Sequence, residues 1–209
     1  MATNINAPFG ASPVSHFDGS SWNGKARTFC ILAADTNAYA IGDFVASYAG
    51  ADANGIPAVT LATAGNPARG VIVALGSAVV PGGQLQGGPF ISPSDLTVLK
   101  RPAAAQSTNW YVAVCEDPTV IYEIQEVYSG TALTSSSMNK NANFVYAAAA
   151  SGSNLSGTTL NNVGVTTTAS LNLRIMGCVQ RMDNVPYSSG QRLLVSINAH
   201  ELSGGTLGV

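Results

Sequence analysis

The residues of this chain that could do chemistry are few and widely spaced. Among 209 residues there are two histidines and three cysteines, which are His16, His200, Cys30, Cys115 and Cys178. None of them has the close spacing that zinc sites and redox pairs use, such as two cysteines separated by two residues. The chain also contains no Gly-x-Ser-x-Gly sequence, which would place a serine nucleophile in a sharp turn. We therefore predict no bound metal, no catalytic residues and no enzymatic activity, and we expect all three cysteines to be buried and reduced.

The acidic residues are densest in one short stretch, which contains Glu116, Asp117, Glu123 and Glu126. A pair of carboxylates can cleave a glycosidic bond when the two groups flank it. Glu123 and Glu126 are expected to point to opposite faces of one strand, because side chains alternate along a strand. The pattern therefore favours a polar face or a contact patch over a catalytic pair.

One segment, Gly19-Ser-Ser-Trp-Asn-Gly24-Lys25-Ala26, has the spacing of a phosphate-binding loop. Such a loop needs a Ser or Thr after its lysine to hold Mg²⁺, a strand before it and a helix after it. Here Ala26 occupies the metal position, and the residues that follow have the composition of a strand. We therefore predict a glycine-bounded turn and no bound cofactor.

The overall composition excludes several further classes of protein. Nine basic and eleven acidic residues make the chain only 10% charged, with a net charge of −2. It therefore lacks the excess of basic residues that would neutralise nucleic-acid phosphates. The longest strongly apolar run, 71–80, is shorter than the roughly 20 residues that span a bilayer, and the N-terminus lacks the pattern of a secretory signal. We expect a protein made in a cytoplasm, with no nucleic-acid or membrane partner.

The arrangement of apolar residues predicts an all-β fold. Short runs rich in Val, Ile, Tyr and Thr recur from Arg27 onward, separated by Gly, Pro, Asn and Asp. This spacing predicts a single jelly-roll, β-sandwich or barrel-like domain over residues 25–209. At most one short helix is expected, over about 138–150, where Ser151-Gly152 would end it. Three hairpins are predicted, from 110–116 with 120–128, from 171–181 with 192–199, and from 41–45 with 56–63 followed by 70–75.

The first 24 residues differ from the rest of the chain, because they contain one formal charge, Asp18, together with Pro8 and Pro13. Residues 1–24 are predicted to form an extended N-terminal arm whose apolar side chains fill pockets on a partner. The alternative is that the arm packs on its own domain and covers an edge strand. The candidate anchors in the arm are Ile5, Phe9, Val14, Phe17 and Trp22.

A second stretch is almost free of charge. Between Val127 and Leu173 the only charged residue is Lys140, and the polar residues are almost all Ser, Thr and Asn. Because the surface of a monomer usually carries many charges, this composition favours a surface that another chain covers, with Val163 and Val165 as candidate interface residues. The alternative is a hydroxyl-rich loop in contact with water. We expect a homo-oligomer, either a dimer or a trimer.

Several of these sequences together resemble tailed-bacteriophage head decoration proteins, also called capsid cement proteins. The resemblance is carried by Cys115-Glu-Asp-Pro-Thr-Val-Ile-Tyr-Glu-Ile-Gln-Glu126, by Asn141-Ala-Asn-Phe-Val145, and by the stretches 173–184 and 194–202. The sequence Ile41-Gly-Asp-Phe-Val45, together with Gly55-Ile-Pro57 and Ala68-Arg-Gly-Val-Ile-Val73, is similar to phage cement domains more generally.

The resemblance implies a β-sandwich or barrel without catalytic residues or cofactors. It also implies a virion protein that is made in the host cytoplasm, binds the outside of the capsid shell and clamps neighbouring copies of the major capsid protein. The alternative function is a receptor- or carbohydrate-binding β domain of a phage fibre or spike.

The glycine-bounded turn at 19–26 leads to a first prediction. ATP with Mg²⁺ should show no saturable binding to the protein in titration calorimetry, because Ala26 occupies the position where a phosphate-binding loop has the Ser or Thr that holds the metal. Replacing Lys25 by Ala should then change nothing. Saturable binding that Lys25→Ala abolishes would show instead that the segment is a phosphate loop.

Overall fold

The computed structural model describes residues 4–76, 100–129 and 131–203, and these residues form an almost entirely β structure. The predicted all-β fold class is confirmed. Residues 77–80 of the apolar run lie outside the described residues. The strands are β1 (Ala11–His16), β2 (Arg27–Ile31), β3 (Tyr39–Ala40), β4 (Phe44–Ala51), β5 (Pro57–Leu61), β6 (Gly70–Gly76), β7 (Lys100–Arg101), β8 (Trp110–Cys115), β9 (Val120–Gln125), β10 (Asn141–Ala142), β11 (Phe144–Val145), β12 (Thr159–Leu160), β13 (Leu173–Cys178) and β14 (Arg192–Ile197).

Five of the strands close into a small barrel, in the order β2-β5-β4-β6-β8. The pair β2–β5 is parallel and the other pairs are antiparallel. Alternating side chains fill the interior, where Phe29, Ile31, Val45, Ile72 and Trp110 are all buried in one cluster. Closure leaves these strands without a free sheet edge.

The other large element is a five-stranded antiparallel sheet in the order β1-β9-β14-β13-β10. Its inner face carries Tyr122, Val195 and Ile175, which lie side by side on neighbouring strands and are completely buried. The same cluster of buried side chains includes Val71 and Cys115 from the barrel. The barrel and the sheet are thus two layers that share this core. Burial of each large apolar side chain there contributes roughly 1.5–3 kcal/mol to the stability of the folded state.

Two of the predicted hairpins are confirmed and one is wrong. Strands β13 and β14 pair as predicted, and β4 pairs with both β5 and β6. Strands β8 and β9 do not pair with each other, because β8 lies between β2 and β6 in the barrel while β9 lies between β1 and β14 in the sheet. The turn at Asp117-Pro118 is therefore a crossover between the two layers.

The helix predicted over 138–150 is also wrong. That stretch contains β10 and β11, and a 3-10 turn at Ser135–Ser137 precedes it. The ring of Phe144 stacks on Phe44 in the core, with 4.7 Å between ring centroids. This packing and the pairing of β10 with β13 outweigh the helix propensity of the alanines at 147–150, which is a weak preference.

The N-terminal segment is extended and lies along the chain's own sheet. Strand β1 pairs with β9, with a bulge between Pro13 and Ser15. The backbone N–H of Ala11 also donates a hydrogen bond to the carbonyl oxygen of Gly42 in the barrel, at 2.9 Å. In the structure of the single chain, the segment therefore packs on its own domain and covers an edge strand, which was the alternative arrangement considered from the sequence.

Two facing glycines allow the N-terminal strand to approach the barrel. Gly10 and Gly42 both have positive φ, 73° and 95°. A Cβ atom added to Gly42 would lie 2.5 Å from the carbonyl oxygen of Phe9, and one added to Gly10 would lie 2.5 Å from the carbonyl oxygen of Gly42. No side chain fits at either position while the strand stays in place.

Gly42→Ala should therefore lower the free energy of unfolding by about 3 kcal/mol or more, because it adds a backbone clash to the strain of positive φ. The matched control is Gly152→Ala, at φ 79° with no atom within 4 Å of the new Cβ, which should lose only about 1–2 kcal/mol. Urea denaturation of the three proteins gives the comparison. Equal losses in the two variants would mean that β1 is not held against Gly42.

Candidate interaction surfaces

The acidic stretch that the sequence singled out is held in internal ion pairs. Glu123 accepts two hydrogen bonds from the guanidinium of Arg181, at 2.6 and 2.9 Å, and Arg192 lies 3.6 Å away. Asp183 pairs with both arginines, so the four side chains form a network with no net charge. The sequence interpretation missed Arg181 and Arg192 as the partners of Glu123, because they lie more than fifty positions away along the chain.

The other acidic residues of that stretch also have structural partners. Arg69 binds Glu116 at 2.6 Å, and Arg27 lies 3.5 Å from the same carboxylate. Glu126 is completely buried, and it accepts a hydrogen bond from the side-chain amide of Gln191 at 2.7 Å. Burial raises the pKa of Glu126. The carboxylates of Glu116, Glu123 and Glu126 thus all accept hydrogen bonds within the fold.

The histidines and cysteines also have structural environments. His16 Nδ1 lies 3.1 Å from the hydroxyl oxygen of Thr119, beside the crossover. His200 is buried, its Nδ1 accepts a hydrogen bond from the backbone N–H of Leu202, and burial lowers its pKa. The three cysteines are buried free thiols, as predicted, and burial raises the pKa of each. Across the described part of the chain, no group of three or more His, Cys, Asp or Glu residues is arranged to hold a metal ion.

A cleft of about 360 Å³ lies between the N-terminal segment and the barrel. It is lined by Phe9 and Trp22 of the N-terminal segment, by Ile72 of the barrel and by Leu155. Glu123, Arg181 and Arg192 also line it, and the guanidinium of Arg192 lies 5.4 Å from the centre of the Phe9 ring.

The five candidate anchors of the arm therefore fall into two groups that differ in their exposure. Phe9 and Trp22 are half-buried beside the intramolecular cleft. Ile5, Val14 and Phe17 are exposed. Only the second group is available to a partner in this arrangement of the chain.

The charge-poor stretch 127–173 exposes several large apolar side chains. They are Tyr128, Val145, Tyr146, Leu155 and Val163. We call these exposed side chains the charge-poor face. One charge from outside the stretch lies beside it, since the Nζ of Lys100 donates hydrogen bonds to the carbonyl oxygens of Ala150 and Ser153. Of the two valines predicted from sequence, Val163 is 76% exposed, whereas Val165 is half-buried and packs against the main core.

Part of the charge-poor face is held rigidly against the barrel by buried Asp43. One carboxylate oxygen of Asp43 accepts hydrogen bonds from the hydroxyls of Ser156 and Thr158, and the other accepts one from the backbone N–H of Ala40. Nearby, the hydroxyl of Tyr146 donates to the carbonyl oxygen of Ala38 at 2.9 Å. The segment from 146 to 158 is thus fixed in place even though it contains little regular secondary structure.

No protein-family model, no curated protein and no solved structure matches this chain. Within the ranges that the structure describes, no helix is long and apolar enough to cross a membrane. The function therefore has to be inferred from the surfaces and contacts of the chain itself.

The buried position of Asp43 leads to a prediction about pH. Burial raises its pKa to about 6, although the hydrogen bonds from Ser156, Ala40 and Thr158 act in the opposite direction. The unfolded chain has a pKa near 3.9 at this residue, so between the two values the folded state binds the proton more tightly. The contribution of Asp43 to stability should therefore be greatest below about pH 4 and should fall as the pH rises to about 6, by up to about 3 kcal/mol.

Urea denaturation of the wild type and of Asp43→Asn from pH 4 to pH 7 measures this contribution. Asn keeps the shape of the side chain but cannot ionise, so the difference in stability between the two proteins should change across this range. Groups such as Glu126 titrate in both proteins and cancel from the difference. A difference that stays constant would show that Asp43 does not titrate in this window.

Proposed function

We propose that this chain is a non-enzymatic structural protein that docks its charge-poor face on a protein lattice, as a head decoration protein does on the outside of a phage capsid. The observation that carries the proposal is that five large apolar side chains are exposed on a stretch with one charge, and that part of this stretch is hydrogen-bonded to the barrel side of the fold. Exposed large apolar side chains are typical of interaction sites where they form a patch.

The use of polar groups within the fold supports this proposal. The carboxylates of Glu116 and Glu123 bind arginines, and His16 lies against Thr119. Side chains that would be candidates for acid–base chemistry therefore stabilise turns and strand packing. The proposal therefore rests on the exposed surfaces.

The sequence resemblance supports the same proposal from a separate direction. The residues that carry it lie partly in β9, β13 and β14, which are the three central strands of the sheet, and partly in the Asp117-Pro118 crossover and the turns that follow β13 and β14. The resemblance therefore involves both strands and connecting turns. We propose the major capsid protein and further copies of this chain, as a dimer or trimer, for its partners, and the surface of the virion for its location.

Docking of this kind stabilises a shell by mass action, because the chain binds the assembled lattice and not its free subunits. Many weak contacts on one lattice add through avidity. The hydrogen bonds that fix the 146–158 segment lower the entropy lost on docking, because the surface is ordered before it meets its partner.

The cleft beside the N-terminal segment favours a second candidate function, the binding of a carbohydrate or receptor group. Its volume lies in the range of small-molecule sites, and it combines the aromatic rings of Phe9 and Trp22 with the polar side chain of Glu123. Titration of host-surface glycans against the tryptophan fluorescence tests this function. A saturable change that is lost in Phe9→Ala would favour it over docking through the charge-poor face.

The docking proposal predicts that Val163→Glu and Val145→Glu weaken binding to shells assembled from the major capsid protein alone. We expect a loss of about tenfold or more in co-sedimentation, because each variant places an unpaired charge in a buried contact. The matched control is Met182→Glu, which changes a fully exposed apolar residue outside the charge-poor face. Val165→Glu is unsuitable, because it would also disrupt the core that Val165 contacts.

Light scattering on the same proteins tests self-association. A stable wild-type monomer, combined with unchanged shell binding in both Glu variants, would contradict the proposal. Electron microscopy of the virion gives the direct test, since it shows whether this chain forms an outer layer over a separate shell.

A further inference from the structure

We propose that Asn23 is a site of spontaneous deamidation in the folded protein, and that the fold protects Asn54 from the same reaction. Both residues precede a glycine, in Asn23-Gly24 and Asn54-Gly55. The two sites have the same reacting groups and differ in the hydrogen bonds around them. This inference is independent of the proposed docking function.

The reaction is an intramolecular substitution at the side-chain amide. The backbone nitrogen of the glycine attacks Cγ of the asparagine and forms a five-membered imide. The bond from Cγ to the amide nitrogen breaks, and ammonia leaves with the proton that the backbone nitrogen gives up. Water then opens the imide at either carbonyl, which yields aspartate or isoaspartate. Proximity makes such a ring closure fast when the attacking nitrogen is free to move.

At Asn23 the attacking nitrogen is free. Both Asn23 and Gly24 are exposed, in the segment between β1 and β2. The N–H of Gly24 has no hydrogen-bond partner among the described residues. Gly24 also has a φ of 84°, and no atom lies within 4 Å of the position that a Cβ would occupy. The backbone therefore has both the room and the freedom to rotate toward the side chain.

The side-chain carbonyl of Asn23 also accepts a hydrogen bond. The backbone N–H of Lys25 donates a hydrogen bond to Oδ1 of Asn23 at 3.1 Å. This oxygen gains negative charge when the nitrogen of Gly24 adds to Cγ. A donor already directed at it stabilises that charge, in the manner of an oxyanion hole.

At Asn54 the same groups are restrained by Asp52. The N–H of Gly55 donates to the backbone oxygen of Asp52 at 3.1 Å, so attack would first have to break this bond. The side chain of Asp52 also accepts hydrogen bonds from the backbone N–H of Asn54, at 2.9 Å, and of Ile56, at 2.8 Å. The hydroxyl of Tyr111 donates to Asp52 as well. The turn must open before the imide can form, and this opening slows the reaction.

The product would change the surface next to the cleft. Each conversion adds one negative charge to a chain whose net charge is −2. Isoaspartate also inserts one methylene into the backbone directly after Trp22, which packs against the main core. The reaction therefore converts a neutral connection between β1 and β2 into an acidic one.

The test is incubation of the folded protein at mildly alkaline pH, followed by peptide mapping with mass spectrometry at both sites. We expect Asn23 to react at least about tenfold faster than Asn54, because only Asn54 needs the turn to open. In concentrated urea the two rates should converge, since the hydrogen bonds that distinguish the sites are lost. Ion-exchange chromatography should show the new acidic species at the same rate as the Asn23 product.

Two variants serve as controls. Asn23→Gln should abolish the fast acidic species, because ring closure from Gln would form a less favourable six-membered ring. Asp52→Ala should raise the rate at Asn54, provided that circular dichroism shows the variant to be folded. Equal rates at Asn23 and Asn54 in the folded wild type, faster reaction at Asn54, or reaction at Asn23 only in urea would overturn the proposal.

Discussion

The structure depends on the way the Asp117-Pro118 crossover places two consecutive strands in different layers. Strand β8 belongs to the barrel and β9 to the sheet, and the core between the layers is built on both of them. Tyr122 spans this junction, since its buried ring packs in the core and its hydroxyl donates to the carbonyl oxygen of Cys115 at 3.1 Å. The side chain of Asp117 fixes the turn by accepting hydrogen bonds from the backbone and hydroxyl of Thr119. Every other strand of the two layers is positioned by pairing outward from this junction.

A chain with so few charges uses most of them within the fold. Asp43 holds the 146–158 segment, Glu126 lies in the interior, and Glu123 binds Arg181 and Arg192. Buried or partly buried charges need such partners, because an unpaired one is strongly destabilising. The network of Glu123, Asp183, Arg181 and Arg192 joins two charges of each sign, so it adds no net charge to the surface that Arg181 and Asp183 reach.

The fold class could be predicted from the sequence, because the alternation of Val120, Tyr122 and Ile124 is a local pattern that burial imposes directly. The strand with which each strand pairs could not be predicted, because a turn at Asp117-Pro118 is compatible both with a hairpin and with a crossover between layers. The role of Asp43 was also out of reach, because its hydroxyl partners lie 113 and 115 positions away. At the candidate interface, composition identified the stretch but could not separate exposed Val163 from Val165, whose contact with the core is set by tertiary packing.

A neutral apolar surface creates a risk of aggregation, and the fold limits this risk at its sheet edges. The barrel strands are closed on themselves. The outer side of β1 is covered, since its carbonyl at Val14 accepts a hydrogen bond from Trp22, and Asn141 of β10 exchanges backbone hydrogen bonds with Thr166. These hydrogen bonds hinder the addition of further strands at the two edges, so we expect copies of the chain to associate through its faces.

A face with little charge is neither repelled nor attracted over long distances by other charged surfaces. The strength of contacts through such a face therefore depends on shape and apolar area, and it varies little with salt concentration. Copies crowded on one lattice would then meet without like-charge repulsion, which is the property that the proposed docking function requires.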